Sequence, residues 1–374
     1  MDRILFLAVI FLMTTGLLMS YSLSSYVTTL YNLPSYHFLI RQLFAVCVGI
    51  FLMVYLSRLD ANRAFKPIMI GLFGSTLLLL LFMPIMPESI VPTIGGANRW
   101  MNLGFISLAP VEFYKVGFVM FISWSLVRTR LPKGILSFGE EFTVFIPYLL
   151  VFILSMIFIA IFQKDLGQTM LLAITLSILF LLVGSSFKFF FSLIGISGMF
   201  FIMLVIMQPY RLARIKSWLS SFNTEASRPE TYQVSNSLDA IHSGGFFGQG
   251  IGNGSYKLGF LSEVHTDFVL AGMIEELGFI SILSVVAVFA FMIFIIFKIA
   301  SKVKNPVYYL FCVGTAMLLS LSFIINCFGI SGIIPIKGIA VPFLSYGGSH
   351  IIASSIMIGI VLMIFKTIRQ KEEL

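Results

Sequence analysis

The chain has 374 residues, of which 59% are hydrophobic and 11% charged, and its net charge is +8. Soluble domains carry about 25% charged residues, so in water this surface would be one continuous apolar patch. Composition excludes a soluble globular protein and makes lipid the solvent. In a soluble protein the basic excess would suggest nucleic acid; here it belongs to membrane loops, and no nucleic-acid partner is expected.

The N-terminus reads as a signal peptide at first, with Arg3 ahead of an apolar run. No small-residue cleavage site follows, and many spans come after it, so it is expected to be a retained first helix. Apolar segments then recur at 4–22, 38–57, 67–87, 105–127, 143–163, 167–184, 188–207, 267–297, 307–329 and 349–366. Each is long enough to cross a hydrocarbon layer roughly 30 Å thick as a helix. Helix is the default because isolated strands leave their backbone groups unsatisfied in lipid. The expectation is an all-α integral membrane protein of about ten transmembrane helices, a single polytopic domain over 1–374. The fifth and sixth segments form a tight hairpin about Lys164 and Asp165.

Lys and Arg orient the chain. With the N-terminus cytoplasmic, the short loops on that side hold Arg3, Arg58, Arg63, Lys66, Arg128, Arg130, Lys133, Lys188, Lys298, Lys302, Lys304, Lys366, Arg369 and Lys371. The short loops opposite hold only Arg99, Lys164 and Lys337. That bias predicts cytoplasmic termini. Residues 208–266, between the seventh and eighth spans, then form one long extracytoplasmic loop. A loop of that length is usually functional. Short amphipathic helices are expected in it, with Trp218 and Phe222 beside Lys216 suiting a membrane interface. Cys47, Cys312 and Cys327 lie in apolar runs without CxxC spacing and read as buried small hydrophobes. The chain has no internal repeat of the kind seen in inverted-repeat transporters.

Ionised groups at membrane depth are costly and mark function by default. Glu112 and Lys115, three apart, pair on one helix; they either brace the bundle or, with Arg99, offer Lys115 to an anionic head group. Asp165 either caps the sixth span or faces a site. The stretch from Gly244 to Gly278 is glycine-dense but lacks a phosphate-loop pattern. Its sharper feature is Glu263, His265 and Asp267 just before the eighth span. Partial burial there would raise the Asp267 pKa and suit a general base; a helix N-cap by Thr266 or Asp267 is the plain alternative. The i, i+2, i+4 spacing of the three does not gather metal ligands on one helical face, so no metal site is assigned. Glu275 and Glu276 lie about 80° and 180° around a helix from Asp267, so at least one should bond another helix. Lastly, Pro335-Ile336-Lys337-Gly338 and Pro342 through Ser349 suggest a broken segment lining a cavity, with Lys337 suited to a phosphate, or an ordinary turn with an interfacial Tyr346.

Taken in order, Gly96-Ala97-Asn98-Arg99-Trp100, Pro110-Val111-Glu112, Asp165-Leu166-Gly167, Gly248 through Asn253, Leu258 through Gly278 and Pro342 through Ser349 resemble the SEDS family (shape, elongation, division and sporulation proteins: FtsW, RodA, SpoVE). The resemblance spans nearly the whole chain. Pro209 through Arg214 and Pro335 through Gly338 look like the FtsW, division-associated branch; the RodA, elongation branch is the alternative. The resemblance implies an inverting glycosyltransferase that polymerises lipid II, a disaccharide-peptide on undecaprenyl pyrophosphate, at the outer face of the bacterial cytoplasmic membrane. It implies Asp267 as catalytic base. Arg99, Lys115, Arg211, Arg214, Glu263, His265, Lys337 and Ser345 become candidate substrate-binding residues. It also implies a class B penicillin-binding protein and other divisome proteins as partners, with membrane lipids around the bundle. No cofactor is firm; a divalent cation, Mg²⁺ or Mn²⁺, would help the pyrophosphate leave. The sequence departs from the family pattern at Lys164 (usually Pro), Ala109 (usually Gln), His350 (often Ser) and Ser322 (usually Gln). A rival class is a lipid II transporter, whose path Glu112, Lys115 and Asp165 would line. The clustering of unusual polar residues toward one face favours an enzyme.

Overall fold

The computed structural model describes residues 2–94, 96–104, 107–128, 138–220, 229–336 and 338–372. Among the described residues, five helices begin where a short polar side chain caps them. The Asp2 carboxylate accepts from the Ile4 and Leu5 amides to start α1 (Arg3–Leu23), which a turn joins to the short α2 (Ser25–Leu30). α3 (His37–Arg58) follows, and Asp60 caps α4 (Ala61–Phe82), which runs into a 3₁₀ turn at Met83–Ile85. A two-residue hairpin, β1 (Met101–Asn102) with β2 (Ser107–Leu108), leads to α5 (Pro110–Arg128). α6 (Phe138–Met156) ends in a π-helical turn, Ile157–Phe162, and Asp165 caps α7 (Leu166–Val183). Ser186 caps α8 (Phe187–Ile206).

Three shorter helices follow: α9 (Pro209–Ser220), α10 (Pro229–Gly244) and α11 (Val269–Leu277). The last three are α12 (Phe279–Lys302), α13 (Pro306–Ile330), capped by Asn305 with Pro at its first position, and α14 (Gly348–Glu372).

Among the described residues, ten helices are long and apolar enough to cross a membrane. Crossing in turn, these helices leave the connections that follow α4, α6, α8 and α13 on one common face. α13 is the hub, with 72% of its apolar window buried against 17% for α8, which lies at the lipid-facing edge. One buried core joins α1, α3, α12, α13 and α14; a second joins α4, α5, α6 and α7.

The spans match the expected ones, with three corrections. The fourth starts at Pro110 rather than 105, because 101–108 pair as a hairpin. The third starts at Ala61, since Asp60 caps it and the charged residues Arg63 and Lys66 lie exposed on its first turns.

The eighth is not continuous over 267–297. It breaks at Gly278, whose φ of 77° and ψ of 176° fall in a region open essentially to glycine alone. A side chain there would also meet Phe246 O at 2.3 Å. α11 is thereby a separate nine-residue helix, packed under the long connection, and α12 makes the crossing.

Candidate active site

Asp267 lies in the turn just before α11, not on a membrane helix. It is not an N-cap: Phe268 holds that position, and no side chain caps α11. Thr266 instead donates to Glu263 Oε2 at 2.9 Å, closing the turn on itself. The Asp267 carboxyl is half-buried. Burial, then Glu263, raises its pKa to about 6, with Arg99 and Arg214 pulling the other way and Asp165 adding to the rise. These are the charges of one site. A carboxylate poised near neutrality, with some access to solvent, is suited to accept a proton.

The flanking motifs close around it. Arg99, held after the Ile94–Ala97 bridge and before β1, donates from Nη2 to Lys164 O at 3.1 Å and sets Nε 3.5 Å from Asp165 Oδ2. Asp165 also caps α7 by accepting from the Gln168 amide at 3.2 Å. The cap and site readings of Asp165 thus hold together. Lys164, standing where Pro is usual, has a left-handed φ of 56°, which proline's ring forbids. Gly338, also left-handed, lets its strap lie flat against both groups. A methyl there would sit 3.2 Å from Asp267 Oδ2 and 3.7 Å from Arg99 Nη1. Asn326 of α13 ties the parts together, its Nδ2 donating to Asp267 O and Ile339 O.

His265 is buried with its ring against Phe38 and Tyr346, and its carbonyl accepts from the Tyr346 amide at 2.9 Å. Burial lowers its pKa and favours the neutral ring, while the Glu263 charge pulls the other way. Tyr346 is therefore part of the packing behind the site rather than a residue of the lipid interface.

A second polar cavity lies deeper, lined by Glu112, Lys115, Gln168 and His350 among others, and Ile339 of the strap walls both spaces. Lys115 Nζ is 2.8 Å from Glu112 Oε2, and Gln168 donates to Glu112 Oε1 at 2.9 Å. The pair is formed as expected and faces a cavity, so bracing and function need not exclude one another.

The other sequence candidates are placed differently. Arg211 is buried, with Nη1 on Leu204 O and Nη2 on Ala160 O, joining α9 to the ends of the fifth and seventh spans. Ser345 is wholly buried. Its hydroxyl accepts from the Val341 amide, and its carbonyl accepts from Gln42, so it shapes the strap. Lys337 and Phe222 lie outside the described residues. Trp218 docks its indole on Gly332 O at 2.7 Å instead of standing free toward lipid.

Sequence reasoning did not single out Lys257, whose ammonium lies 2.6 Å from Glu276 in a buried pair completed by Ser22 of α1. The expectation that one of Glu275 and Glu276 bonds another helix is met by Glu276, and Glu275 caps the Ser255 and Tyr256 amides. Among the described residues no three His, Cys, Asp or Glu side chains gather to hold a metal ion. Protein groups alone do not fit a divalent cation here. A divalent cation there would take most of its ligands from the substrate's phosphate oxygens, as Mg²⁺ commonly does.

A family model described as "Cell cycle protein" (FtsW, RodA, SpoVE) matches residues 2–370. A Helicobacter pylori (strain ATCC 700392 / 26695) protein named "Probable peptidoglycan glycosyltransferase FtsW" is 43% identical over 96% of this chain and 97% of its own. One of the same name from Trichlorobacter lovleyi is 32% identical over 97% of this chain and 92% of its own. Two solved structures share the fold at 22% identity. One is a chain from a peptidoglycan synthase complex that coordinates polymerisation and crosslinking, with TM-score 0.73 over 99% of this chain and 98% of that one. The other is Thermus thermophilus RodA, with TM-score 0.67 over 97% and 95%. With a match from one end to the other and one carboxylate encircled by four of its motifs, the chain belongs to the FtsW/RodA/SpoVE family.

Proposed function

We propose that this chain is a peptidoglycan glycosyltransferase that polymerises lipid II during septal wall synthesis, in the manner of an FtsW. The observation that carries the reading is the half-buried Asp267, its carboxyl raised to about 6, in a turn where Glu263, Arg99, Asp165 and Arg214 all act on it. The names of its relatives support the reaction and favour division over elongation.

Asp267 takes the proton from the acceptor sugar's 4-hydroxyl as that oxygen attacks the donor's anomeric carbon. The bond to the lipid pyrophosphate breaks, the electron pair leaves with the phosphate, and an α-linked donor gives a β-linked product. The leaving group is an anion and needs fixed positive charge nearby. Arg99 and Arg214, whose charges act on Asp267, are the first candidates, with Lys115 in the deeper cavity after them, and Lys337 a candidate from the sequence alone. Arg211, bound to two carbonyls, ranks below these. Glu263 and His265 shape the base, Glu263 through its charge and His265 by fixing the turn. A divalent cation would supply further charge to the pyrophosphate.

The protein would sit in the bacterial cytoplasmic membrane with both termini inside and act at the outer face of the septum. A class B penicillin-binding protein would crosslink the strand, and other divisome proteins would surround the pair. The test is lipid II polymerisation by the purified chain with that partner. Product from the wild type and none from Asp267→Asn supports the assignment; product from both defeats it. Lipid II flipping that persists in Asp267→Asn would favour the transporter.

A further inference from the structure

Asn326, near the C-terminal end of α13, has an amide that the reaction above leaves unused. Its side chain is only 6% exposed. Nδ2 donates to Asp267 O at 2.7 Å and to Ile339 O at 2.8 Å. Only the nitrogen can donate to two carbonyls, so the amide's orientation is fixed. Oδ1 is thereby turned away from both, buried and with no partner among the described residues. Asn326 also lines the small cavity that holds Asp267, together with Gly338 and Ile339.

A buried acceptor left unmatched is costly, and native structures rarely keep one without a reason. A wholly structural clamp on two carbonyls would need only the nitrogen. Because Asn326 lines the cavity of the proposed base, its fixed and unmatched oxygen would suit a ligand bearing an N–H or O–H next to the hydroxyl that Asp267 deprotonates. A sugar offers that pattern, with hydroxyl or acetamido donors on neighbouring carbons.

We propose that Asn326 belongs to the acceptor subsite: Oδ1 receives a hydrogen bond from a hydroxyl or amide N–H of the acceptor sugar, while Nδ2 fixes the Asp267 main chain to the strap. The proposal rests on the glycosyltransferase reading. It assigns the orientation of the acceptor ring to α13, a helix that otherwise serves as the hub of the bundle. Sites that hydrogen-bond a substrate group reject analogues lacking it far more strongly than apolar pockets do.

The experiment pairs substrate and protein changes. Lipid II analogues, each lacking one hydroxyl or carrying an N-methylated acetamido group on the acceptor sugar, are offered to wild type, Asn326→Leu and Asn326→Asp, each in complex with the penicillin-binding partner. One analogue is expected to raise KM at least tenfold on the wild type. The same analogue should cost Asn326→Leu less than threefold beyond what that variant has already lost. Asn326→Asp keeps the oxygen and loses the N–H groups, so its KM should stay within threefold of wild type while kcat falls at least tenfold. Tolerance of every analogue by the wild type overturns the proposal even if Asn326→Leu fails to fold, as does full additivity of the analogue and Leu losses, the sign of a structural amide only. A wild type that polymerises lipid II and depends on Asp267, yet shows no such coupling, sinks this inference alone. A wild type that does not polymerise lipid II sinks the underlying reading with it.

Discussion

At pH 7.5 an Asp267→Asn protein is expected to lose polymerisation yet melt at a higher temperature than the wild type. Burial, with Glu263 next, raises the carboxyl from 3.8 to about 6. Folding thus favours the acid form. Its contribution is fully present below about pH 3.8 and is lost as pH rises through about 6. The shift corresponds to roughly 3 kcal/mol at neutral pH, and the side chain's remaining solvent contact reduces this to about 1–3 kcal/mol. Asparagine has the shape of the protonated acid and carries no charge, so it relieves that cost. Thermal melts in detergent should place the variant a few degrees above wild type at pH 7.5, with the difference gone by pH 4. The rate should fall by about 10²–10⁴, the range for losing a general base. Wild-type polymerisation should rise with pH through about 6 and then level. A variant no more stable than wild type at pH 7.5, with a wild-type rate already flat at pH 5, would refute the placement of a strained base in this turn.

Other substitutions probe the frame around the base. Lys257→Met leaves the buried Glu276 carboxylate with Ser22 as its one side-chain partner among the described residues, and should cost about 3–5 kcal/mol by thermal melt, recovered largely in the Lys257→Met, Glu276→Leu double variant. Lys164→Gly should gain up to about 1 kcal/mol by relieving a left-handed residue. Lys164→Pro should lower the melting temperature, despite matching the residue usual in the family. Gly278→Ala forces a methyl to 2.3 Å from Phe246 O and should cost at least about 2 kcal/mol, seen as loss of folded protein on size exclusion.

The crossings were legible because lipid demands long apolar runs, and lipid-facing residues advertise themselves by composition. What composition cannot report is backbone geometry inside an apolar run. Residues 267–297 read as one segment, and only the clash and φ of Gly278 divide it into α11 and α12. The fourth span likewise took in the second strand of a hairpin, Ser107–Leu108, whose apolar Leu108 reads like a helix residue. At the site, charged side chains at membrane depth stood out by their cost, and Glu112, Lys115, Asp165 and Asp267 were found that way. Asn326 and Gly338 were not assigned roles, because neither an amide nor a glycine is rare enough to signal alone. Arg211 and Ser345 were chosen for their chemistry, but the structure directs both toward backbone groups.

The strap from Gly338 to Gly347 explains how an irregular segment survives at the edge of the membrane. Backbone groups without a regular partner must be satisfied by other protein groups where water is scarce. Side chains from three spans meet that need. Asn326 of α13 holds Ile339 O, and His350 of α14 holds Ser345 O at 2.9 Å. Gln42 of α3 both donates to Ser345 O and accepts from the Gly347 amide at 3.1 Å. The strap is therefore positioned by the rigid bundle rather than by its own sequence. Because Asn326 grips the Asp267 carbonyl with the same nitrogen, the base inherits that rigidity. A proton acceptor must be held to within a fraction of an ångström to serve the reaction. For the proposed base that precision would come from amides on membrane helices, which hold the turn and the strap to the bundle.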